Sequence, residues 1–146
     1  MKYRGLLAVG VVVLIAAADA TEEAVKKEIA KLQVTWSVVS SERGGDKAPE
    51  NKIKMVKLTF QKDKLIAQQP DKTTEMSYTV DPSKNPKTID ITYLDGELKG
   101  ESHQGIYSLD GDTLKICMHR GANRPPDFET KQDPQRHLIV LKREKP

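Results

Sequence analysis

The sequence predicts an all-β fold: a small antiparallel meander barrel of about eight strands, preceded by one short helix. Three observations point there. From residue 35 onward apolar residues recur with a period of two, the strand period, rather than the helical 3.6. The alternating runs are short, and most are separated by turn chemistry such as "KDK", "PDKTT", "PSKNP", "DGELKG" and "DGD". No βαβ crossover pattern and no internal repeat interrupts them. Eight strands in sequence order can close without leaving an edge, around an interior just large enough for side chains or one small ligand.

Residues 1–20 read as a signal peptide. Lys2 and Arg4 form a positive start, "GLLAVGVVVLIAAA" is an unbroken apolar run, and Ala18-Asp19-Ala20 is an A-x-A cleavage pattern before Thr21. The run is short for a bilayer core of ~30 Å, which takes ~20 residues, so no membrane span is expected after cleavage. The expected location is therefore periplasmic or extracellular. Cleavage takes away Lys2, Arg4 and Asp19, lowers the net charge from +3 to +2, and leaves 126 residues of the 146. That is enough for one domain with a core. Nearly balanced, interspersed charge argues against a nucleic-acid partner. A single cysteine, Cys117, excludes an internal disulfide; it is buried, free, or paired between chains.

Residues 21–31 are expected as a short amphipathic helix, with the barrel domain at 32–146. Val25, Ile29 and Leu32 make one apolar stripe, Glu22 and Glu23 precede Lys26 and Lys27 by four residues, and Thr21 can cap the start. The strand candidates then follow in order. They are "TWSVVSSE", "KMVKLTFQ", "LIAQQ", "EMSYTVD", "KTIDITYL", "ESHQGIYSL", "TLKICMH" and "HLIVLKR". Alternation places Val56, Leu58 and Phe60 on one face, then Met76, Tyr78 and Val80, then Ile89, Ile91 and Tyr93. Two longer connections, "RGGDKAPEN" and "RGANRPPDFETKQDPQ", read as loops.

The hairpin "GIYSLDGDTLKIC" tests whether Cys117, Met118 and His119 form a soft-metal or redox cluster. A turn on Asp110-Gly111 makes paired residue numbers sum to 221, and a four-residue loop makes them sum to 223. Either odd sum puts Leu114, Ile116 and Met118 on the face of Gly105, Tyr107 and Leu109. The hydrophobic pattern selects that register. Met118 then points inward with His103, while Cys117 and His119 point to the opposite face. One strand cannot converge all three ligands, and no third or fourth zinc ligand is visible, so no metal site is expected. A catalytic Cys117–His119 pair also fails on strand spacing, because residues two apart lie about 6.5 Å apart. Asp81, Asp95, Asp110 and Asp112 all sit at turns and suggest no acid–base pair. No enzyme activity and no cofactor are expected.

The stretches "LQVTWSVVSSERGG", "KLTFQKDKL", "YTVDPSKNPKTIDITYLDGELKG", "GIYSLDGDTLKICM" and "RPPDF" together resemble a small exported lipocalin-like domain family expanded in planctomycete-type bacteria. The resemblance spans roughly residues 32–143. It implies a lipocalin-like barrel, with no established catalytic residues, in which the Trp of the Thr-Trp pair closes one end. That residue is Trp36. Val34 stands where the family usually has a glycine. The expected function is a non-enzymatic barrel binding a small, largely apolar molecule, with His103, Tyr107, Met118, Trp36, Tyr78 and Tyr93 as candidate ligand-binding residues. Trp36 and the tyrosines read first as packing. The alternative is a cell-envelope interaction or structural module with a filled barrel. For the rigid "RPPDF" loop, Arg124 to Phe128, the expected role is a plug that folds Phe128 into the barrel; a lid and a rim for a protein partner are the other readings.

Overall fold

A computed structural model describes residues 21–145, and the signal segment expected at 1–20 lies outside them. Helix α1, Glu22–Leu32, starts on Thr21, whose hydroxyl accepts from the Ala24 N–H at 3.2 Å. Glu22 and Glu23 in its first turn and Lys31 in its last suit the helix dipole. It runs one residue further than expected, so Leu32 closes the helix instead of opening the barrel. Among the described residues, no helix is long and apolar enough to cross a membrane.

Nine strands follow: β1 Thr35–Arg43, β2 Asp46–Lys47, β3 Lys57–Gln61, β4 Lys64–Gln68, β5 Thr73–Asp81, β6 Lys87–Tyr93, β7 Ser102–Asp110, β8 Thr113–His119 and β9 Arg136–Arg143. Every neighbour from β3 to β9 pairs antiparallel, and β1 pairs with β3 on one side and β9 on the other. Eight strands thus close a barrel. The two-residue β2 is an extra pairing on β1, reached through Gly44 and Gly45 at φ +56° and +88°. A one-turn helix α2, Glu50–Ile53, follows and buries Ile53 in the core. Neither β2 nor α2 was expected. They occupy the stretch that reads as loop, and β3 consequently joins the ladder only at Lys57.

The expected faces are present. Leu58, Phe60, Met76, Tyr78, Val80, Ile89, Ile91, Leu114, Ile116 and Met118 are all core residues. In the β7–β8 hairpin Leu109 faces Leu114 and Asp110 faces Thr113, so the register is the odd sum 223. The turn is therefore centred on Gly111-Asp112, one residue later than the Asp110-Gly111 signal. Positive φ falls on Gly111 alone (+58°), as a turn with glycine at its first central position requires.

One end of the barrel is shut. Trp36 is fully buried, donates its indole N–H to the Leu32 carbonyl at 3.0 Å, and carries the Arg143 guanidinium 4.5 Å above its ring. Lys62 in the β3–β4 turn has φ +56°, a backbone strain of about 1–2 kcal/mol for an L side chain. Its carbonyl accepts from the Tyr78 hydroxyl at 2.6 Å, and its N–H donates to Gln33 at 2.6 Å, which offsets that strain. Buried Glu28 of α1 is met by Lys87 at 2.9 Å.

The long connection from β8 to β9 does not plug the barrel; it straps the outside. Arg124 donates to the Gly105 carbonyl at 2.7 Å and pairs with outward-facing Asp90 of β6 at 2.8 Å. At the far side Thr130 donates to Glu42 of β1 at 2.6 Å and accepts from the Gly45 N–H at 3.0 Å. Phe128 is half-buried and lies outside the core cluster, contrary to the expected plug. Its position is set by a strap whose cationic anchors find carbonyls and carboxylates only on the outer wall.

Candidate functional site

The barrel is not filled. A cavity of about 1070 Å³ opens at the end opposite α1. All eight barrel strands line it, through Val38, Leu58, Leu65, Met76, Ile91, His103, Ile116 and Ile139 in turn. Its walls are apolar, and its mouth carries polar and charged side chains from strand ends and loops. That combination, an apolar body with a few convergent polar groups, is the usual form of a small-molecule site. A second, shallower depression of about 470 Å³ lies beside Gln33 and the β3–β4 turn at the closed end.

Of the six candidate residues, His103, Met118 and Tyr93 line the cavity and Trp36, Tyr78 and Tyr107 do not. Trp36 is the plug. Tyr78 spends its hydroxyl on the Lys62 carbonyl, and its ring stands edge-on to Phe60 at 5.0 Å. Tyr107 lies toward α1 with its buried hydroxyl close to Glu28; burial, then that carboxylate, raise its pKa. All three point inward as alternation requires. They miss the cavity because it occupies only one end of the barrel.

His103 sits at the cavity wall on β7, 8% exposed, with its ring 5.0 Å from Tyr93 and its Nε2 3.4 Å from Glu101. Met118 faces it from β8. Its sulfur lies over Gly105, where any Cβ would run into that sulfur and the Cys117 carbonyl. Burial, and to a lesser extent the Glu101 carboxylate, raise the Tyr93 pKa, while Arg43 and Arg120 oppose that shift.

Two residues that line the mouth, Ser41 and Arg43, escape the sequence pattern. Trp36 and Val38 face inward, and strict alternation would turn Ser40 and Glu42 inward after them. A β-bulge between Val38 and Ser40 inserts one residue, leaves Val39 46% exposed, and reverses the parity. Ser41 and Arg43 therefore face the cavity, and Glu42 faces the strap. The third histidine, His137, comes in from β9 opposite Arg43 and was readable from alternation with Ile139 and Leu141.

These three side chains form a defined set. The Arg43 guanidinium stands 3.3 Å from His137 Nδ1, and His137 Nε2 stands 2.6 Å from Ser41 Oγ. Guanidinium only donates, so Nδ1 must accept; the imidazole proton is then on Nε2 and goes to Ser41. Burial first, and Arg43 second, lower the His137 pKa to about 4, which keeps the ring neutral. Ser41 receives a hydrogen bond and keeps its own O–H to give.

The Cys-Met-His stretch splits as alternation requires. Cys117 and His119 face outward, yet both are buried, beneath the strap. Cys117 is 0% exposed, free, and its thiol is pushed up to about 11 by burial. His119 Nδ1 accepts from the Gly121 N–H at 2.8 Å, so its Nε2–H donates to Asp133 at 3.1 Å. Both serve to seat the loop. Among the described residues, no group of three or more His, Cys, Asp or Glu side chains is placed to hold a metal ion.

Compared with known protein families, with curated proteins and with solved structures, the chain matches none.

Proposed function

We propose that this chain is an exported, non-enzymatic, lipocalin-like barrel that binds one small, largely apolar molecule in its lumen. The observation that carries the reading is the lumen: about 1070 Å³, walled largely by apolar side chains from every barrel strand. The competing expectation, an envelope module with a filled barrel, fits that cavity less well. Export rests on the character of residues 1–20. The Ser41–His137 contact favours binding over acyl transfer. A general base must accept the serine proton and is best poised near neutral pH. Here Nε2 donates, and the group behind the ring is a cation instead of a carboxylate.

Native mass spectrometry of the protein purified from its own host tests the reading. The expected result is a co-purifying small molecule, absent from Ala67→Trp, in which a lumen-lining alanine is enlarged to fill the cavity. The variant should keep the wild-type circular dichroism spectrum. Wild-type protein that arrives empty and takes up neither a neutral nor an anionic added lipophile would overturn the proposal.

A further inference from the structure

The mouth of the lumen is chemically one-sided. Four cations line it, Arg43, Lys52, Lys72 and Arg120, against two carboxylates, Asp95 and Glu97. Among the described residues none of the four cations forms an ion pair, although ten such pairs occur elsewhere. Asp95 is already engaged, accepting from the Glu75 N–H at 3.1 Å. Glu101 stands behind His103.

Hydrogen-bond direction adds to the charge. Arg43 uses one donor on His137 and keeps the rest of its fork. Ser41 is fed by His137 Nε2–H and so turns its own proton outward. Tyr93 lines the same opening as Arg43 and Arg120, and feels both guanidiniums as well as the Glu101 carboxylate. Ser41, Arg43, Tyr93 and Arg120 all offer donors to the same opening, and His137, which could accept, has both nitrogens occupied. A neutral ether, ketone or alcohol would use little of this. A compact oxyanion would use most of it, because charge-assisted bonds to arginine are the strong ones and a carboxylate matches the guanidinium fork.

We infer that the open end is a head-group site, and that the molecule bound is an anionic amphiphile whose apolar body fills the lumen and whose terminal carboxylate is held among Ser41, Arg43, Tyr93 and Arg120. This rests on the lumen being a binding site at all, and the test separates the two claims. Isothermal titration calorimetry at about pH 7.5, where a carboxylate is fully ionised, compares decanoate with decan-1-ol, each below its aggregation limit. The chains match in length and differ in the head group.

The expected result is binding of decanoate roughly tenfold or more tighter than the alcohol. That preference should weaken with added salt and collapse toward unity in Arg43→Gln and Arg120→Gln. Equal affinity for the two ligands, or tighter alcohol binding, would overturn the head-group site while leaving the lumen reading intact. Binding of neither overturns both. A preference that survives undiminished in both variants would overturn the assignment to Arg43 and Arg120.

Discussion

The two ends of this barrel are built from the same eight strands and differ in how completely their polar groups are matched. At the closed end the buried polar groups are matched almost throughout. The Trp36 indole has the Leu32 carbonyl, Tyr78 has Lys62, Glu28 has Lys87, and Arg143 has both Asp112 and the Trp36 ring. The Tyr107 hydroxyl is the exception. At the open end four cations stand around an apolar shaft, against only Asp95 and Glu97, and among the described residues none of the four forms an ion pair. Matched, desolvated groups rigidify a structure; unmatched donors around a cavity are available to something else. The closed end is thus read as scaffold and the open end as site.

The largest effect that sharpens this contrast concerns stability. Trp36→Ala should cost about 3–5 kcal/mol, since it empties a fully buried site and removes the Arg143 stacking partner. Arg43→Gln at the mouth should change stability by no more than about 0.5 kcal/mol, as for an exposed side chain without an ion pair. Urea unfolding of both variants measures this. Similar costs at the two ends would erase the distinction between scaffold and site.

A smaller effect comes from His137. Its folded pKa is lowered from 6.5 to about 4. As pH falls below about 6.5 the unfolded chain takes up this proton first, so stability drops between there and about 4 and levels off below. The limb amounts to at most about 3 kcal/mol at 1.36 kcal/mol per unit, and less where water reaches the half-buried ring. His137→Gln should flatten it. Identical pH profiles for the two proteins would mean the ring is not held neutral at the mouth.

Much of the closed end was legible in the sequence, because alternation and one turn signal determine which side chains point inward. The parity of the β7–β8 register and the outward aim of Cys117 and His119 follow from those rules, whereas Trp36 as plug was what the family resemblance implied. Less of the open end was. Alternation says which face a residue takes and nothing about its depth, so Tyr78 and Tyr107 joined His103 and Met118 as candidates although they sit beyond the cavity. Ser41 and Arg43 were hidden by the bulge at Val39, a local insertion that the run "SVVSSER" does not mark except by an unexpected second valine. The strap was misplaced because periodicity cannot say on which side of a barrel wall a loop lies. That is decided by Arg124 finding Asp90 and Thr130 finding Glu42.

The most direct test is a methyl- and indole-detected NMR titration with a neutral lipophile. Met76 and Met118 line the lumen, and the Trp36 indole N–H reports on the closed end. Saturable shifts at Met76 and Met118, with Trp36 unmoved, are the predicted result. Unmoved Met76 and Met118, or shifts larger at Trp36 than in the lumen, would contradict a binding site at the open end.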